Sequence, residues 1–142
     1  MFAAILVCAV AFLVAQVSFG QGVETFKARL FPTPIDAISK NTITGSGLLT
    51  ATLTGNKLTI TGNFEGMRAA ATDAHIHLAP KGIRGPAILE LEISRGTSGS
   101  ISGTVELTPS QIGDLRNGRL YLQINSERAP APDGNLWGWL LH

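Results

Sequence analysis

At 142 residues with a formal net charge of +1, the chain has the length of one domain with room for a real core. Its charged residues are scattered singly instead of gathering into runs, so nothing in the charge pattern points to nucleic acid or an acidic membrane. The single cysteine, Cys8, leaves no disulfide framework, and stability must come from packing.

From Met1 to Gly20 there is no charged residue, and Phe2 to Val14 is a continuous apolar run followed by small and polar residues. This shape predicts a signal peptide over residues 1–20, cut after Gly20 with Ser18 at the third position before the cut; a cut after Ala15 is the competitor. The run is short for a membrane span, which needs ~20 apolar residues, so the mature chain is expected to hold no stable span. Cys8 is read as apolar filler in this leader, because Val7 is a poor match for the small residue that precedes a lipoprotein cysteine. The expected location is secreted or extracytoplasmic.

Beyond the leader, short alternating segments recur between turn residues, which is all-β patterning. The first predicted strand is Thr25 to Phe31, with Phe26, Ala28 and Leu30 on one face and Pro32-Thr33-Pro34 closing it. Gly47 to Leu53 follows, then the turn Thr54-Gly55-Asn56 and a strand from Lys57 to Phe64, which together predict a hairpin. His75 to Leu78 is the next strand. Pro86 to Ile93 places Ala87, Leu89, Leu91 and Ile93 inward and Glu90 and Glu92 toward water, and Ser100 to Leu107 places Ile101, Val105 and Leu107 inward.

One short helix is predicted, with Thr108 as N-cap, Pro109 at the first helical position, Gln111 completing a capping box and Gly118 beyond the last turn. Ile112 and Leu115 would pack it onto the sheet edge. Arg119 to Asn125 and Leu136 to Leu141 complete the set. About eight strands and one helical turn imply two packed sheets or a flattened barrel, and the expected architecture is a Greek-key, immunoglobulin-like β-sandwich.

Chemistry concentrates at Ala74-His75-Ile76-His77. In a strand, His75 and His77 point to the same face, ~6.6 Å apart at Cα, and two neutral imidazoles so placed could reach one Zn or Cu ion. A tight site wants three or four protein ligands, and the remaining histidine is His142 at the C-terminus; Asp73, Asn125 and Glu127 could supply oxygens. The competing reading is structural, with the histidine face hydrogen-bonding to Asn125 and to the Pro80–Gly85 backbone.

Trp137 and Trp139 share one face of the last strand. They are either core, the favoured reading, or an exposed platform for a sugar or protein ligand, and periodicity does not choose between these. Lys81, Arg84 and Arg68 surround the histidine strand and are either solvated loop charges or an anion site. No nucleophile–base pair, acid pair or phosphate-cradling loop stands in a recognised spacing, so no enzyme is expected.

Thr59-Ile60-Thr61-Gly62-Asn63-Phe64-Glu65-Gly66, Ala74-His75-Ile76-His77, Gly82-Ile83-Arg84-Gly85-Pro86, Ser102-Gly103-Thr104-Val105-Glu106-Leu107-Thr108 and Gly118-Arg119-Leu120-Tyr121-Leu122-Gln123-Ile124-Asn125 stand in a fixed order. In that order they resemble the CHRD domain, the module named for its repeats in chordin, over about Phe26 to Leu140. The resemblance implies a domain over 24–142 that recognises an extracellular protein or matrix component without catalysis, with Asn125, Arg84, Trp137 and Trp139 as ligand-binding candidates. Two departures stand out: Asn125 occupies a position where the family usually places His, and Gly134-Asn135-Leu136-Trp137-Gly138-Trp139-Leu140 replaces its Gly-Glu-Ile-Arg-Gly-Gln-Leu-like ending. The alternative function is an extracytoplasmic Cu/Zn-binding protein using His75 and His77.

Overall fold

The computed structural model describes residues 22–142, so the predicted leader and Cys8 lie outside the described residues. Eight strands and one helix follow in chain order: β1 (Glu24–Pro32), β2 (Ser46–Thr54), β3 (Lys57–Glu65), β4 (Ala71–Leu78), β5 (Ala87–Ile93), β6 (Gly99–Glu106), α1 (Pro109–Arg116), β7 (Leu120–Ser126) and β8 (Leu136–Trp139). A three-residue 3₁₀ turn, Ser39–Asn41, interrupts the β1–β2 connection. The β2–β3 hairpin turns at Gly55, whose φ of +63° suits glycine.

The expected immunoglobulin-like sandwich is not formed. All neighbouring strands are antiparallel and close into a barrel in the order β1-β2-β3-β6-β5-β4-β7-β8. Closure comes from β1: Glu24 to Leu30 pair with β2, while Phe31 and Pro32 pair with Trp137 and Leu136 of β8. An alternating strand looks the same in a sandwich and in a barrel, because period two specifies which side chains face in and not which strand ends meet.

An eight-stranded barrel is just wide enough for side chains to fill. Here Phe26, Leu30, Leu49, Leu53, Leu58, Ile60, Ile76, Leu122, Ile124 and Leu136 form one continuous buried cluster. The interior is therefore solid core, which leaves the outer surface as the place for any site.

The helix begins as predicted: Gln111 N–H donates to Thr108 Oγ1 at 3.2 Å and Thr108 N–H donates to Gln111 Oε1 at 2.9 Å. The strand order closes on itself, so the helix has no outermost strand to cover. Instead it crosses one end of the barrel, burying Leu115 in the core with Ile112 packed alongside. Arg116 ties it to β1 through Glu24 at 2.5 Å, and that hydrogen bond, aided by His142, holds the Glu24 carboxyl below its usual range. No described helix is long and apolar enough to cross a membrane.

Candidate functional site

With Ala74 and Ile76 of β4, Leu120, Leu122 and Ile124 of β7, and Leu136 and Leu140 at β8 committed to the core, strand alternation sends the intervening residues outward. Register then assembles them into cross-strand rows. His77, Tyr121 and Trp139 form one row; His75, Gln123 and Trp137 form the next; Asp73 stands opposite Asn125.

Apart from the partly exposed Asp73 and His75, this outer face is nevertheless buried, because two loops fold across it. Residues 79–86 leave from the Leu78–Leu120 end and residues 127–135 from the Ser126–Ala71 end. They meet where Arg84 Nη1 donates to Pro132 O at 2.9 Å and to Asp133 O. The guanidinium also lies 5.6 Å over the Trp137 ring, a cation–π geometry.

Under the loops, His77 stacks on Tyr121 at 4.9 Å, Tyr121 tilts against Trp139 at 4.5 Å, and the two indoles meet edge-on at 4.8 Å. Trp137 and Trp139 are each 4% exposed and Tyr121 is fully buried. The tryptophans thus belong neither to the barrel core, as favoured from sequence, nor to an open platform. They form a second apolar cluster with Tyr121 and Ala79 outside the barrel.

Polar groups pin the nearer loop to this cluster. Trp139 Nε1 donates to Ala79 O at 2.9 Å, and Gly85 N–H donates to Tyr121 Oη at 2.9 Å. His77 Nδ1 lies 2.9 Å from Gly85 O. A Cβ at residue 85 would run into Leu78 O, so only glycine lets the loop backbone come this close.

Because Gly85 O can only accept, His77 carries its proton on Nδ1, which leaves an Nε2 lone pair in the neutral ring. Burial pushes the His77 pKa below the ordinary imidazole value, with the Gly85 hydrogen bond acting in the opposite direction. Next to it, Gln123 Nε2 donates to Asn125 Oδ1 at 2.9 Å, Asn125 Nδ2 donates to Asp73 Oδ2 at 2.7 Å, and His75 Nδ1 lies 3.2 Å from that same oxygen. Three buried atoms of this face have no protein partner: His77 Nε2, Gln123 Oε1 and Trp137 Nε1. Two are acceptors and one a donor, so the face retains unspent hydrogen-bonding capacity.

The structure therefore brings His75, His77, Arg84, Asn125, Trp137 and Trp139 to one face. It does not gather the other two cations there: Lys81 is exposed, and Arg68 donates to Asn41 O on the β1–β2 connection. Glu127 spends its backbone N–H on Ala70 O with its side chain exposed, and His142 stacks on Phe26 at 4.2 Å beside Glu24. Tyr121 and Gln123 were missed from sequence, although they alternate with Leu120, Leu122 and Ile124 and so share the face of Asn125. The burying loops left no signal of that kind.

For a metal, both imidazoles turn Nδ1 toward an oxygen acceptor and leave Nε2 available, the arrangement common in ligating histidines. Among the described residues, however, no group of three or more His, Cys, Asp or Glu is placed to hold an ion, and the two rings stand 6.4 Å apart, edge to face.

No curated protein matches the chain, and no solved structure does. The model of a family described as CHRD domain matches residues 33–138, which include β4, β7, both covering loops and β8 as far as Gly138. The chain belongs to the CHRD domain family.

Proposed function

We propose that the chain is an exported, non-enzymatic binding module that recognises an extracellular protein or matrix component through the covered face of β4, β7 and β8. One observation carries this reading. Loops from opposite ends of the barrel are held over an aromatic cluster by Arg84, and beneath them His77 Nε2, Gln123 Oε1 and Trp137 Nε1 are buried without partners. A purely structural face would be expected to satisfy such groups. Ile83, 57% exposed next to Arg84, offers a first apolar contact on the rim.

Both tryptophans lie on this face, so their emission reports on it directly. Titration with candidate matrix proteins should shift the emission of the wild type, and the Arg84→Ala variant should give a weaker response. A ligand that binds without changing tryptophan emission would place recognition elsewhere. Export is checked by mass spectrometry of protein recovered outside the expressing cell, with a mature N-terminus expected at Gln21.

The alternative is Cu or Zn binding at His75 and His77, favoured by the two open Nε2 positions. Elemental analysis and metal titration of the wild type against a His75→Ala/His77→Ala variant separate the readings. Stoichiometric, histidine-dependent metal would promote the alternative; its absence at micromolar ion would leave the module reading.

A further inference from the structure

The β5–β6 seam of the barrel is poorly zipped. β5 and β6 are consecutive, yet their ladder contains only Glu92–Ser102 and Ile93–Ile101, extended toward the turn by Ser94 N–H donating to Ser100 O at 3.0 Å. β5 continues back to Ala87 and β6 onward to Glu106 without pairing across the gap. On their far sides β6 pairs with β3 along its whole length, and β5 pairs with β4 at Leu91, Glu90, Leu89 and Ala87.

Backbone groups in an antiparallel strand alternate sides. Since Ser94–Ser100 is hydrogen-bonded, the groups that continue this alternation toward β6 are those of Glu92 and Glu90, and those toward β5 are at Ser102 and Thr104. Glu90 and Thr104 lie past the last paired residues of this ladder, and neither has a ladder partner across the seam. These are open strand edges of the kind that closed barrels otherwise remove.

A cleft of about 440 Å³ runs over this seam and the adjoining part of β3, lined by Thr59, Thr61, Glu90, Glu92, Ser102 and Thr104. Its floor is apolar: Leu91 reaches across to Gly103, where a Cβ would meet Leu91 Cδ2 at 2.6 Å. Leu89, Ile93 and Val105 around it are only partly buried. A register shift between Ile76 and His77 opposite β5 leaves Ala87 exposed instead of inward, as its sequence pattern suggested. The Arg84 latch has no part in this surface.

We propose that this seam is a docking site for an extended basic peptide, which adds a strand along the open edge of β5. Unpaired backbone selects an extended chain, since only a strand offers donors and acceptors at matching intervals. The apolar floor takes side chains at alternate positions, and Glu90 and Glu92, two apart on one face, select Lys or Arg at the positions between. A second copy of this chain is disfavoured as occupant, because symmetric β5–β5 pairing would bring Glu90 and Glu92 against their own copies.

The test uses a labelled short peptide alternating valine and lysine, with two controls: the same peptide with glutamate for lysine, and one N-methylated at alternate residues to remove strand donors. The wild type should bind the Val/Lys peptide in a salt-sensitive way, and the Glu90→Lys/Glu92→Lys variant about tenfold more weakly or worse. Both substitutions are at exposed positions, and thermal melting verifies that the variant is folded. The N-methylated and glutamate peptides should not bind. In hydrogen exchange, the Glu90 and Thr104 amides should exchange faster than those of the β2–β3 ladder in the free protein and slow on binding.

No binding at millimolar peptide would overturn the proposal, and so would binding indifferent to N-methylation, which would mean a simple charge patch. Slow exchange of both amides in the free monomer would show the edges to be closed. Concentration-dependent self-association that protects the same amides would replace the peptide with a second copy.

Discussion

His77 joins the two halves of the covered face: its ring stacks on Tyr121 and its Nδ1–H holds the loop at Gly85. Replacing it with alanine removes a buried ring and the shorter of the two hydrogen bonds to Gly85 O, the other coming from Tyr121 Oη at 3.3 Å, so His77→Ala should lose about 2–3 kcal/mol in urea denaturation. His75→Ala, at a more exposed ring, should lose less. The pH dependence has a definite sign. The folded-state pKa of His77 lies below that of the unfolded chain, chiefly through burial, so the unfolded state binds the proton more readily. Stability is complete above the unfolded imidazole value of ~6.5 and declines as pH falls from there through the folded value. Melting temperature should therefore drop between neutral and mildly acidic pH, and His77→Phe should flatten that drop; an unchanged profile in the variant would assign the acid sensitivity to another group. His75 and His77 were legible as a pair from their spacing alone. Their difference in burial was not, because it arises from the loop that covers one of them.

At the scale of elements, the loops and the helix make separate contributions. Arg84 bonds exposed backbone carbonyls and stacks over Trp137, so Arg84→Ala should cost under about 1 kcal/mol of global stability while making the tryptophans more accessible to acrylamide quenching. Unchanged quenching would mean that the loops cover Trp137 and Trp139 without the latch. In the helix, Thr108→Ala removes one half of the capping box and should cost about 1 kcal/mol, measurable as a lower midpoint with unchanged slope in a denaturant titration. The helix was readable in full because capping is local: Thr108, Pro109 and Gln111 stand within four residues of each other. The strands were likewise readable from period two, except where β5 meets the register shift at Ile76 and His77. A bulge changes which residues face in without altering composition, so Ala87 could not be told from an inward position.

For the whole molecule, a solid eight-stranded core places the domain's stability in side-chain interlock around the full circumference. Ile60→Ala, fully buried on β3, should cost about 2–5 kcal/mol, and unfolding should remain one cooperative transition because both ends of the barrel share the same cluster. The all-β class, the hairpin, the capped helix and the outward set of His75, His77 and Asn125 were all determined by the sequence, since each depends on alternation or on neighbours a few residues apart. Closure of the barrel, the burial of Trp137 and Trp139 outside its core, the Arg84 latch and the open β5–β6 seam were decided only by tertiary structure. Each joins residues distant in the chain, such as Phe31 with Trp137 or Arg84 with Pro132, and a hydrophobic period carries no information about which distant strand or loop will supply the partner.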